Sequence, residues 1–127
     1  MEFLNVLIAA IAGFAFGAAW YMGLARPWKA ATGMTDEAMR SAGAAPYIIS
    51  FIALLFVAGM MRHMFVLAGI HEVGKGLVAG LGLGLFIAAP WIATNYAYSM
   101  RPRVLTLIDC GYATGGCAVI GLVLTIF

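Results

Sequence analysis

Asp109 lies in an apolar stretch, Val104 to Phe127, that carries no other charged residue. A carboxylate inside a membrane-crossing helix costs about 2.5–3.5 kcal/mol even on the mildest insertion scale. It must therefore face protein or water and find a partner. Thr106 and Tyr112 share its helical face. Asn95 and Asp109 are equidistant in sequence from Pro102, so an antiparallel hairpin brings them to similar depth. Asn95 comes roughly three helical turns after Gly84 and so falls on the same face of its helix. There its amide can donate to the carboxylate. Arg101 and Arg103 can reach down from the turn between the helices. Trp20 and Tyr21 close an earlier apolar run at the same end, with Trp28 shortly after. Trp28 and Tyr98 fit an aromatic belt at the interface, whereas Trp20 fits either that belt or buried packing. Asp109, Asn95, Tyr112, Arg101, Trp20 and Tyr21 thus form an expected polar cluster. It reads in two ways. It is a hydrogen-bonded lock holding the third and fourth helices to the first, since buried ions are often simply paired. Or it is a proton or cation site, or a pocket for a polar headgroup.

Other chemistry is sparse. Arg62 is expected to snorkel to the opposite interface. His63 and His71 have no acid or cysteine at metal-ligand spacing, so no metal is expected. Most of a bilayer separates them from Asp109. Cys110 and Cys117 lie about 10 Å apart along one helix, too far to bridge, and read as small buried hydrophobes. No nucleophile elbow, phosphate loop or paired carboxylates occur. The Gly-Leu-Gly-Leu-Gly run from Gly80 to Gly84 lies inside an apolar span with no strand before it, so it is not a nucleotide loop. The expectation is a protein without catalytic activity or cofactor. A lipid-modifying enzyme would need a nucleophile or metal that is not visible. No basic tract suggests nucleic acid.

The elements that carry these residues follow from composition. The chain has 127 residues, 65% of them hydrophobic and only 9% charged, with a mean hydropathy of +1.03. A soluble domain needs more charge to cover its surface. A helix needs about 20 apolar residues to cross the hydrocarbon. Four such stretches, residues 3–24, 46–67, 76–98 and 104–127, use nearly the whole chain. The fold class is all-α, a polytopic membrane protein of four transmembrane helices arranged as two hairpins. In the first connection, Gly33 suits a turn and Thr35 an N-cap, followed by Asp36 and Glu37 at the positive end of a helix. A short surface helix is expected from Asp36 to about Ser41. Met1-Glu2 offers no positive n-region, so the first run is expected to be a retained helix rather than a cleaved signal. The first and third connections carry Arg26, Lys29, Arg40, Arg101 and Arg103. The opposite face has only Arg62 and Lys75. That bias predicts cytoplasmic first and third loops, with both ends of the chain periplasmic.

Small residues recur at helical spacing. The third span has Gly76, Gly80, Gly84 and Ala88, the first has Gly13 and Gly17, and the fourth has Gly111 and Gly115. Such ridges let backbones approach where lipid supplies no hydrophobic drive. They serve either packing within one bundle or an interface with another subunit. Pro90 is expected to bend the third span.

The ordered set Gly17-Ala-Ala-Trp20-Tyr21, Trp28, Asn95-Tyr96, Arg101-Pro102 and Asp109-Cys-Gly-Tyr112 resembles a bacterial family of small four-helix membrane proteins, domain of unknown function family 1761. The likeness covers nearly the whole chain, and its most specific parts are the early Trp-Tyr and the Asp-x-Gly-Tyr. Arg62-His63 is not part of that pattern. The resemblance implies four helices in a bacterial inner membrane and no nameable activity. The residues themselves favour a protein that works by association in the bilayer, with itself or as a small accessory subunit of a larger complex. The alternative is a small oligomeric transporter or channel component with Asp109 as a proton or cation relay.

Overall fold

The computed structural model describes the backbone of residues 2–127 and the side chains from residue 3 onward. Apolar runs with only helix-compatible interruptions dictate helices throughout. These are α1 (Glu2–Gly23), α2 (Ala25–Thr32), α3 (Asp36–Ala42), α4 (Ala45–Ala68), α5 (Val73–Leu83), a π-helical segment (Gly84–Ala88), α6 (Ala89–Tyr98) and α7 (Arg103–Ile126). Four stretches are long and apolar enough to cross a membrane: Phe3–Gly23, Ala45–Ala68, Val73–Tyr98 and Arg103–Ile126. The protein is therefore a four-span helical membrane protein.

The connections are built from caps. Thr35 is extended and its side chain accepts from the Ala38 N–H at 3.1 Å, which starts α3. Asp36 and Glu37 occupy the positive first turn of that helix. The first connection contains a second helix that composition did not announce. α2 resumes after a break at Leu24, and the Lys29 ammonium pairs with Asp36 at 2.6 Å to tie α2 to α3. At the far end of α4, Gly69 takes a left-handed conformation (φ +71°), as a helix C-terminus requires.

The four spans are unequal. α7 is the hub: α5 packs along it most extensively, α1 lies against a second side, and α6 and the π segment complete its contacts. α4 leans mainly on α1 and touches α7 less. The core between α1, α4 and α7 consists of Ala9, Ala10, Leu54, Ala58, Met61, Phe65, Ile120 and Leu124.

Glycines set the closest approach. A Cβ on Gly80 would collide with the Cys117 carbonyl, and one on Gly76 with Thr125 and the Gly121 carbonyl. On Gly84 it would lie 2.7 Å from the Ala113 oxygen. The Gly76–Gly80–Gly84 ridge therefore lies against the α7 backbone within one chain. Gly13, Gly17, Gly111 and Gly115 do something different from backbone approach. They make room for side chains: Ile120 beside Gly13, the Tyr112 ring beside Gly17, the Trp20 indole beside Gly111 and the Phe16 ring beside Gly115. α1 and α7 interlock as rings set into gaps left by missing side chains.

The ridge does not continue to Ala88. Ala89 is the buried residue and Ala88 only half-buried. The cause is the π segment, in which the Ala89 N–H bonds the Gly84 carbonyl, one residue further than in an α-helix. Pro90 lacks an N–H and its ring crowds the carbonyl four residues back, and a widened turn relieves that crowding. The inserted residue advances every later position by one.

Candidate functional site

The carboxylate of Asp109 lies about 9 Å along α7 from its start at Arg103. Three helices meet there. The end of α1 brings Tyr21, whose phenol donates to Oδ1. The end of α6 brings Tyr96, whose phenol donates to Oδ2 at 2.5 Å. Both carboxylate oxygens thus accept from a hydroxyl, and such charge-assisted bonds are short and roughly twice as strong as neutral ones. Among the described residues no cation pairs with Asp109.

Aromatic side chains enclose this group. The Trp20 indole donates Nε1–H to the Ile108 carbonyl at 2.9 Å. That bond and the gap at Gly111 place the indole beside the Asp109 turn. Trp20 is therefore packed into the helix contact. The Tyr21 ring meets Tyr112 edge-on at 5.3 Å and Trp28 edge-on at 6.5 Å. Phe16 stacks between Trp20, at 5.7 Å, and Tyr112, at 6.4 Å. Trp28 stands on α2, so the unannounced helix closes the outer side of the cluster.

Of the residues expected at this site, Trp20, Tyr21, Asp109 and Tyr112 come together. Arg101 is exposed and does not reach the carboxylate. Its guanidinium sits over the Tyr96 ring, 5.6 Å from the centroid. Asn95 is exposed, and the adjacent Tyr96 takes the place expected for it. The reason is the π segment. In an unbroken α-helix the face of Gly84 recurs at Asn95, and one inserted residue moves it to Tyr96. Pro90 carried the only sequence signal for that shift.

The arrangement can do two things chemically. It can fasten three helices through one anion. It can also hold a proton-accepting group that connects, through the half-exposed Tyr96, to the interface beneath Arg101. Cys110, next to Asp109, is engaged elsewhere, its thiol donating to the Ala89 carbonyl at 3.4 Å. At the other end of the molecule, Arg62 bonds the Leu124 carbonyl at 3.3 Å through Nη1. No group of three or more His, Cys, Asp or Glu comes together among the described residues.

The stretch that carries these helices and aromatic residues also matches a known family. The family's sequence model, described as a protein of unknown function (DUF1761), matches residues 4–125. The chain belongs to the DUF1761 family. In this member the matched region runs from the start of α1 to the last turn of α7, so it includes every residue of the Asp109 cluster. No curated protein and no solved structure matches the chain.

Proposed function

We propose that this DUF1761 protein is a non-catalytic protein of a bacterial inner membrane that works through helix–helix association, as a homo-oligomer or as a small accessory subunit of a larger membrane complex. The observation that carries the reading is the split between inner and outer faces. The glycines of the ridges, Gly13, Gly17, Gly76, Gly80, Gly84, Gly111 and Gly115, are occupied by packing within the chain, and the Asp109 oxygens are held by tyrosines of the same chain. The faces turned outward hold large apolar side chains, among them Phe56 on α4 and Phe86 and Trp91 on the third span. Association then uses those outer faces rather than the glycine ridges. Single cysteines introduced at Phe56 or Phe86, in a chain whose native cysteines are replaced by alanine, should give cross-linked species in native membranes, and a cysteine at the fully buried Ala10 should not. A strictly monomeric protein in membranes and in mild detergent counts against the reading.

A second reading rests on Asp109 itself, which has no cation partner among the described residues. An intramembrane acid of this kind suits a proton or cation relay in a small oligomeric transporter or channel component. Under that reading Asp109→Asn abolishes flux into proteoliposomes and leaves assembly intact. If the substitution instead prevents folding, the carboxylate is a lock.

A further inference from the structure

The end of the molecule away from Asp109 holds a second charged group that the packing does not satisfy. Arg62 projects from α4 about 9 Å before that helix ends at Ala68. It lines an open, groove-like cavity of about 350 Å³ between the start of α1 and the last turns of α4, together with Phe3, Val6, Gly59, His63 and Val66. A guanidinium carries five N–H donors in a fixed fork and cannot shed its charge. Here Nη1 reaches the Leu124 carbonyl at 3.3 Å, a long bond to one of the unpaired carbonyls ending α7. Nε is buried and has no partner. A charged donor left unpaired in an apolar setting is costly. Arg62 lines that cavity, and a turn of its side chain would bring the buried Nε and one terminal nitrogen to the same space.

We propose that this cavity binds a phosphate anion, with Arg62 as the bidentate donor and His63 beside it. The fork of Nε and Nη matches two oxygens of a phosphate, a geometry a lysine cannot reproduce. The remaining walls are apolar, so a phosphodiester attached to acyl chains fits the whole cavity. The depth of Arg62 also places its tip where a long basic side chain reaches the headgroup layer. The shared chemistry is the phosphate group, which an anionic phospholipid or free inorganic phosphate can supply.

Gly59 makes the idea testable without touching the arginine. It lines the cavity, and a Cβ built there meets nothing within 4 Å. Gly59→Leu therefore fills the space and leaves the helix contacts alone. Native mass spectrometry of the purified full chain with phosphatidylglycerol and with phosphatidylcholine reads lipid retention. Thermal unfolding in phosphatidylcholine nanodiscs, with and without millimolar inorganic phosphate, reads the free anion. We expect phosphatidylglycerol retention to fall roughly ten-fold in Arg62→Gln and Arg62→Lys, the scale of one lost charge-assisted hydrogen bond, and to fall also in Gly59→Leu, whose side chain takes the ligand's place. Lys75→Gln, whose residue lies outside the cavity, should leave retention unchanged. If phosphate stabilises the wild type and not the variants, while phosphatidylglycerol shows no preference, the source is the free anion. If Gly59→Leu, with helix content intact, retains both ligands as the wild type does, the proposal is wrong. It is equally wrong if the wild type prefers neither ligand.

Discussion

Asp109 gives each of its oxygens to a different tyrosine, and the two bonds are not equivalent. Tyr21 is enclosed by Tyr112 and Trp28, whereas Tyr96 borders the interface under Arg101. Deleting the Tyr21 hydroxyl should therefore cost more. Tyr21→Phe is expected to destabilise the protein by about 1.5–3 kcal/mol, the range for hydrogen bonds to charged groups. Tyr96→Phe should cost less, because water can replace the lost donor. Unfolding in mixed micelles measures both. A double-mutant cycle between Tyr21→Phe and Asp109→Asn should show coupling of about 0.5–3 kcal/mol, and additive effects would mean the two groups do not act together. Residue types alone made Asp109, Trp20 and Tyr21 legible in the sequence, since an acid in an apolar run needs donors and the nearest aromatic hydroxyls are few. Which donor the third span supplies was a question of phase, one that residue type does not answer.

Phase belongs to the helices. Spacing of the glycines in α5 points to the α7 contact, and the structure places Gly76, Gly80 and Gly84 along it. The extrapolation from Gly84 to Asn95 assumed 3.6 residues per turn throughout and missed the widened turn before Pro90. The same shift explains why Ala89 rather than Ala88 is buried. Deleting Ile87, an exposed residue of the widened turn, together with Pro90→Ala to remove the ring that the turn accommodates, should convert it to ordinary α-helix and keep Tyr96 against Asp109. The Tyr96→Phe penalty should then persist in the shortened chain. Deleting Val78 should remove the helix from its register on α7 and abolish folding, as judged by size-exclusion profile and helix content. The ridge itself offers a paired comparison. Gly80→Ala forces a Cβ into the Cys117 carbonyl and should cost about 1–3 kcal/mol. Gly82→Ala meets nothing within 4 Å and should be neutral or stabilising by up to about 1 kcal/mol, from helix propensity. Equal effects in a thermal unfolding series would contradict the packing described for α5 and α7.

On the scale of the molecule, four spans were evident from composition, because so few charges cannot cover a soluble surface of this size. Their unequal partnership was not evident, because hydropathy is nearly uniform among the four and says nothing about who touches whom. The orientation proposed from Arg26, Lys29, Arg40, Arg101 and Arg103 predicts that a periplasm-active reporter fused after Phe127 is active. Cytoplasmic fluorescence from the equivalent fusion would reverse the topology. The central position of α7 has a further consequence, for biogenesis. A ribosome delivers α1, α4 and the third span to the bilayer before the helix against which α1 and α5 pack most closely exists. Until α7 is inserted, the glycine face of α5 meets only lipid, and Tyr21 and Tyr96 have no anion to bind. α1 and α4 can pair as they emerge, but the third span has no packed partner until the last one arrives. A chain stopped before Arg103 should therefore reach the membrane and yet be digested rapidly by membrane proteases in a pulse-chase experiment, while the chain that includes α7 persists.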